Sequence, residues 1–304
     1  MKKLTSIIIF LLTLASLDAE RVYSNDSPKG KVYVYKEVDG MTREMEIFFP
    51  KDHDPSKKSV PGVIMFHGGG WGSGSRVMFS YQCNYFASRG LVAATVTYKL
   101  AKKAVANKTK GTESRKRVCI TDAKSAIRWY KQNADELGID PKRIIAGGGS
   151  AGGHISLLAT TNPGLNDPAD PKEYDATVAA YLLFNPALSA GDAKDPQVDF
   201  LRHLKADFPP AIVFFGSEDN WMKKGWKAAD TKIASLKIAD SVNVRIADGQ
   251  GHGFFNKQPW ADITLIEADR FLHDLGFLKG DPTLAMPKSG EQLKDANKTV
   301  NSTH

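Results

Sequence analysis

The stretch Arg143-Ile144-Ile145-Ala146-Gly147-Gly148-Gly149-Ser150-Ala151-Gly152-Gly153-His154 decides how the chain is read. Arg143–Ala146 is a short apolar strand, and the residues after Ser150 follow a helical pattern through Thr160. Between them stands Gly148-Gly149-Ser150-Ala151-Gly152, a G-x-S-x-G element on a strand-to-helix turn. A serine at the tip of so sharp a turn projects its hydroxyl, and bulky neighbours would collide with the adjacent strands. The turn also sets Ser150 at a helix N-terminus, whose backbone N–H groups favour developing negative charge. A glycine-rich turn of this kind also suits phosphate, so the element alone leaves two chemistries open. Neither G-x-x-x-x-G-K-[ST] nor a full dinucleotide fingerprint accompanies it.

Outward from the turn, strands and helices alternate. Lys31–Val38 and Glu44–Pro50 alternate apolar and polar residues around Asp39-Gly40, which predicts an opening hairpin. Val60–His67 is a continuous apolar run and reads as a buried strand; Tyr81–Arg89 fits a helix, and Leu91–Tyr98 a strand. Apolar residues at 119, 123, 126, 127, 130, 134 and 137 predict one helix over Val118–Leu137, closed by Gly138. Val178–Phe184, Ala211–Phe215 and Val242–Ala247 read as further strands, and Pro259 opens a last helix to about Leu275. Continuously apolar strands alternating with helices give an α/β fold, a mostly parallel central sheet with helices on both faces. Neither a linker nor a repeat divides it, so one domain is expected over residues 31–278.

The ends differ in composition. Lys2 and Lys3, the apolar run Leu4–Leu17 and Ala19 predict an export signal over residues 1–19 and a secreted or periplasmic protein. The run is too short for a comfortable membrane span. Removal of the signal takes away two lysines and one aspartate and moves the net charge from +7 to +6. The remaining basic residues are scattered and read as a solvated surface; no zinc spacing and no nucleic-acid module is found. Residues 20–30 read as an unstructured leader, 100–114 as an exposed Lys-rich loop, and 279–304 as a flexible polar tail.

Two more motifs narrow the chemistry. His67-Gly68-Gly69-Gly70-Trp71 follows the Val60–Phe66 run, and consecutive glycines let backbone N–H groups turn towards one point. A tetrahedral oxyanion needs such donors, which are assigned to Gly69, Gly70 and Ala151. His67 then braces the loop rather than taking protons. A general base belongs on a loop after a late strand, and His252 in Gln250-Gly251-His252-Gly253-Phe254 meets that demand. His154 lies inside the helix after Ser150 and reads as a buried structural residue. The acid is assigned to Asp219 in Phe215-Gly216-Ser217-Glu218-Asp219, with Glu218 as the neighbouring alternative and Asp248 a poorer one. Trp71, Asn185-Pro186 and Trp221 are candidates to line the cleft, and residues 187–208 to fold over it as a small lid.

With H-G-G-G, G-x-S-A-G, Ala87-Ser88-Arg89-Gly90 and Asp122-Ala123-Lys124-Ser125-Ala126-Ile127-Arg128-Trp129 in place, the chain resembles the esterase/lipase branch of the α/β-hydrolases. Within it, the chain is similar to secreted bacterial acetylxylan and feruloyl esterases. The resemblance covers about residues 31–278 and implies an α/β-hydrolase fold without a large cap. It also implies a cofactor-free serine hydrolase of short-chain or carbohydrate-linked esters. A prolyl-peptidase-like serine peptidase and a non-catalytic hydrolase-fold binding protein stay open as alternatives. Cys83 and Cys119, the two cysteines of the chain, are expected to form a disulfide, because both fall near the starts of helices at the site's end of the sheet and export supplies oxidising conditions.

Overall fold

The computed structural model describes residues 21–24, 26–38, 40–56, 59–100 and 114–296. The expected signal over 1–19 and the Lys-rich segment over 101–113 lie outside the described residues. The apolar runs become strands β1 (Lys31–Val38), β2 (Met41–Phe48), β3 (Val60–Phe66), β4 (Val92–Val96), β5 (Ile139–Gly149), β6 (Ala180–Phe184), β7 (Ala211–Gly216) and β8 (Val242–Ala247). A further strand, β9 (Leu293–Asp295), joins them. Across the sheet the order is β1-β2-β4-β3-β5-β6-β7-β8-β9. The six strands from β4 to β8 run parallel, while β1, β2 and β9 are antiparallel at the two edges.

The helices are α1 (Ser80–Ser88), α2 (Arg115–Gln132), α3 (Ala134–Leu137), α4 (Ala151–Thr161), α5 (Phe200–His203), α6 (Lys227–Ser235) and α7 (Trp260–Asp274). Strand β3 shows how they divide. Successive side chains of a strand point to opposite faces. Val63 and Met65 pack into the cluster that includes Phe86 of α1 and Leu265 of α7, while Ile64 and Phe66 pack into the one with Ile127 of α2 and Leu158 of α4. Each fully buried large side chain contributes about 2 kcal/mol, so a sheet covered on both faces holds its helices by burial rather than by propensity. The stripe expected as one helix over 118–137 bends at Asn133 into α2 and α3, and Gly138 closes α3 in the left-handed conformation (φ 65°).

Four expectations need correction. Cys83 and Cys119 are both free and buried, not bridged. Cys83 packs with Val63 and Met65 on one face of the sheet and Cys119 with Ile64 and Phe66 on the other, so the sheet stands between them. The Cys119 thiol donates instead to the Lys99 carbonyl at 3.1 Å. The polar tail is ordered in part, because β9 pairs antiparallel with β8. The leader docks: Arg21 and Lys257 form an antiparallel bridge, and the Val22 N–H donates to the Asn256 carbonyl at 2.9 Å. Finally, the 187–208 segment is no lid. Lys116 and Arg117 of α2 hold it through Asp192 and Asp195, and none of its residues lines the cleft described next.

Candidate active site

Ser150 caps the junction of β5 and α4 with φ 54° and ψ −119°, a conformation a non-glycine residue adopts only when its surroundings enforce it. The enforcement is visible. Its N–H donates to the Phe184 carbonyl at 2.9 Å, and its carbonyl accepts from Ala187 at 3.0 Å. Side chains are excluded on both flanks: a Cβ on Gly148 would stand 2.4 Å from the Phe66 carbonyl oxygen, and one on Gly152 only 1.9 Å from it. The glycines of the G-x-S-x-G element therefore allow the serine turn to press against β3.

His252 and Asp219 arrive on two neighbouring loops. The loop after β7 and the loop after β8 are tied by Ser217 N–H to Ala247 carbonyl (2.9 Å) and Glu218 N–H to Gln250 carbonyl (2.9 Å). His252 Nε2 lies 2.8 Å from Ser150 Oγ, and its Nδ1 lies 2.9 Å from Asp219 Oδ2. With Nδ1–H donating to the carboxylate, Nε2 presents its lone pair to the serine hydroxyl. Asp219 is buried and held from three sides: His252, the Asn185 side-chain amide on the same Oδ2 at 2.5 Å, and the Trp221 N–H on Oδ1 at 2.9 Å. Burial pushes the Asp219 carboxyl up, but these donors, His252 foremost, outweigh it and leave the group below its ordinary carboxylate value.

The weighed alternatives point elsewhere. Glu218 is exposed and pairs with Lys223 at 2.7 Å, and Asp248 pairs with Lys294 at 2.9 Å. His154 is buried; Trp71 Nε1 donates to its Nδ1 at 3.3 Å, and its Nε2 donates to the Val198 carbonyl at 3.0 Å. His67 is also buried, its Nδ1 donating to the Gly68 carbonyl at 2.7 Å while its ring stacks on Tyr98 at 4.3 Å. Burial lowers its proton affinity to a pKa of about 4, so it stays neutral and braces the loop.

That loop runs through Gly69 (φ 120°), Gly70 (φ 60°) and Trp71 (φ 62°), three successive left-handed residues. Gly69 must be glycine, since a Cβ there would meet the Ser73 carbonyl oxygen at 2.1 Å. Gly68, Gly69 and Gly70 face Ser150 and His252 across a cleft of about 370 Å³. Ala151 opens α4, where first-turn N–H groups lack intrahelical partners. Trp71 folds away from the cleft, T-shaped against His154 and Trp221 and covered by the Lys116 ammonium 4.1 Å from its centroid. Asn185 likewise is buried, holding Asp219 instead of lining the cleft. Sequence reading misses the cleft's other wall, Arg21, Tyr23, Asn256 and Lys257, because polar residues in a leader and a loop carry no periodic signal.

Comparison with known proteins finds esterases among the chain's relatives. The BD-FAE family model matches residues 45–183. The chain is 28% identical over 232 residues to esterase LipC of Mycobacterium tuberculosis, covering 66% of this chain and 55% of that one. It is 26% identical over 230 residues to the probable carboxylic ester hydrolase LipM of the same organism, covering 66% and 50%. The chain thus spans about half the length of these two relatives. Among solved structures, Thermogutta terrifontis esterase 2, described as phosphorylated by paraoxon, superposes with TM-score 0.74 at 34% identity, covering 84% of this chain and 98% of that one. The same esterase bound to propionate superposes with TM-score 0.73 at 33% identity, covering 84% of this chain and 97% of that one.

Proposed function

The chain belongs to the α/β-hydrolase esterases, and we propose that it hydrolyses carboxylic esters with Ser150 as nucleophile, His252 as general base and Asp219 as the group that orients the imidazole. His252 Nε2 takes the hydroxyl proton as Ser150 Oγ bonds to the ester carbonyl carbon. Gly69, Gly70 and Ala151 donate backbone N–H groups to the oxyanion so formed. Collapse of the tetrahedral intermediate breaks the bond to the alcohol oxygen, which leaves with the proton from His252. Water then attacks the acyl-serine, His252 again moving the proton, and the acid departs. These steps need no metal and no organic cofactor.

The observation that carries this reading is the unbroken path from Ser150 Oγ through His252 to buried Asp219, 2.8 and 2.9 Å long. The imidazolium formed in the first step stays beside an ionised carboxylate that is itself fully hydrogen-bonded. The acyl group is proposed to be short, acetyl or propionyl, on a small or carbohydrate-linked alcohol, with a feruloyl ester as the aromatic variant. The propionate complex of the Thermogutta esterase and the modest cleft support the short acyl group. The expected export signal over residues 1–19 supports action outside the cytoplasm. A series of p-nitrophenyl esters of graded length, with acetylated xylan and methyl ferulate beside them, tests the substrate. Acetyl and propionyl esters should show the highest kcat/KM, and preference for acyl chains of about ten carbons would instead indicate lipase-type selection, the better fit to a deep apolar pocket.

A further inference from the structure

One wall of the cleft takes no part in the proposed acyl transfer. Arg21 and Tyr23 from the N-terminal segment, with Asn256 and Lys257 from the chain after His252, line it. Arg21 and Lys257 are partners in an antiparallel bridge. Residues directly opposite in such a pair lie on the same face with Cβ atoms about 5 Å apart, and like charges there repel. Arg21 is exposed and Lys257 half-buried beside it. Arg21 and Lys257 form no salt bridge among the described residues, and the Arg21 guanidinium donates to the Tyr23 hydroxyl at 3.2 Å. Two like charges side by side on the cleft wall, with no carboxylate paired to them among the described residues, suit an anionic ligand.

We propose that this wall is a subsite for the alcohol half of a substrate bearing a carboxylate or sulfate, such as a uronate or sulfated sugar. Arg21 and Lys257 hold the anion between them. The assignment to the alcohol half rests on the ester-hydrolase reading. Met78 and Phe255 supply the apolar lining suited to a short acyl group, which leaves the polar wall to the alcohol.

Ligand-detected NMR titration of the whole protein tests the subsite without turnover. The probes are methyl glucoside, methyl glucuronide and methyl glucoside 6-sulfate. At least one acidic sugar should bind roughly tenfold more tightly than the neutral one, and the margin should shrink from about 50 to about 500 mM salt. Which acid binds better separates carboxylate from sulfate. The margin should vanish in the Arg21→Gln/Lys257→Gln variant and return with Lys257→Arg in the otherwise native chain, which keeps both charges. Equal affinity for all three sugars, no binding of either acid up to about 10 mM, or a margin kept by the double variant overturns the proposal. Turnover of p-nitrophenyl acetate by the same preparation shows separately whether the ester-hydrolase reading stands.

Discussion

Two histidines stand beside the Ser150 turn, one on the helix it opens and one on a loop three strands away, and they differ in what their nitrogens face. His154 is fully buried, with Trp71 on Nδ1 and the Val198 carbonyl on Nε2, so no lone pair is left over. Burial, its largest influence, lowers its proton affinity, and Asp192 at 3.5 Å does not reverse that. His252 sits between glycines on an open loop, uses Nδ1 on Asp219 and turns Nε2 to the serine. Nearness in sequence makes His154 a fastener between the glycine loop and the 187–208 segment. A spare nitrogen with a carboxylate behind it makes His252 the proposed base.

The largest expected effect breaks the comparison outright. His252→Ala should lower kcat for p-nitrophenyl acetate at least about 10³-fold, and adding Ser150→Ala should cost little more, because members of one catalytic unit are not additive. His154→Gln should keep kcat within about tenfold and show its effect in the melting temperature, through a weakened buried contact worth about 1 kcal/mol. Steady-state kinetics with thermal melts separates the two, and near-normal turnover by His252→Ala would hand the role to another group.

A smaller effect sharpens the carboxylate side. Asp219→Asn should reduce kcat roughly 10²-fold or more with little change in KM, by favouring the wrong imidazole tautomer. Glu218→Gln should stay within about twofold, since Glu218 faces Lys223 and solvent. The reverse order in a side-by-side kinetic assay would move the acid to Glu218.

The smallest effect concerns stability. His67 has a folded pKa of about 4 against an unfolded value of 6.5, so at intermediate pH the unfolded chain binds the extra proton. Stability is therefore full above pH ~6.5 and is lost as pH falls towards about 4, costing about 2 kcal/mol between pH 7.5 and 5. His154 adds in the same direction. The lowered carboxyl of Asp219 acts only below its ordinary value of 3.8, in a more acid window. Urea unfolding at the two pH values checks this, and a flat profile would mean that the buried histidines do not stay neutral.

The sheet and the site differ in how much of each is legible in the sequence. Continuous apolar runs place β3, β6 and β7 to within about two residues, because strands buried on both faces are apolar throughout, whereas the first half of β5, with Asp140, Lys142 and Arg143, carries no such run. Strand β9 escapes because three residues at a sheet edge pair through the backbone alone and need no apolar pattern. The cysteine pairing fails for a related reason: position along a helix is readable, but the face of the sheet that the helix covers is not. Ser150, Asp219, His252 and the glycine loop are legible because each follows a strand at the same end of the sheet. The wall of Arg21, Asn256 and Lys257 is set by tertiary contact between the leader and a loop, which leaves no local trace.

The most direct measurement of the central claim is covalent labelling with a p-nitrophenyl phosphonate, followed by peptide mass spectrometry and timed release of p-nitrophenol. One phosphonyl group should appear on Ser150, and His252→Ala should slow its arrival at least about 10³-fold, because the hydroxyl loses the base that takes its proton. A label on any other residue, or a His252→Ala protein labelled at the native rate, would contradict the account.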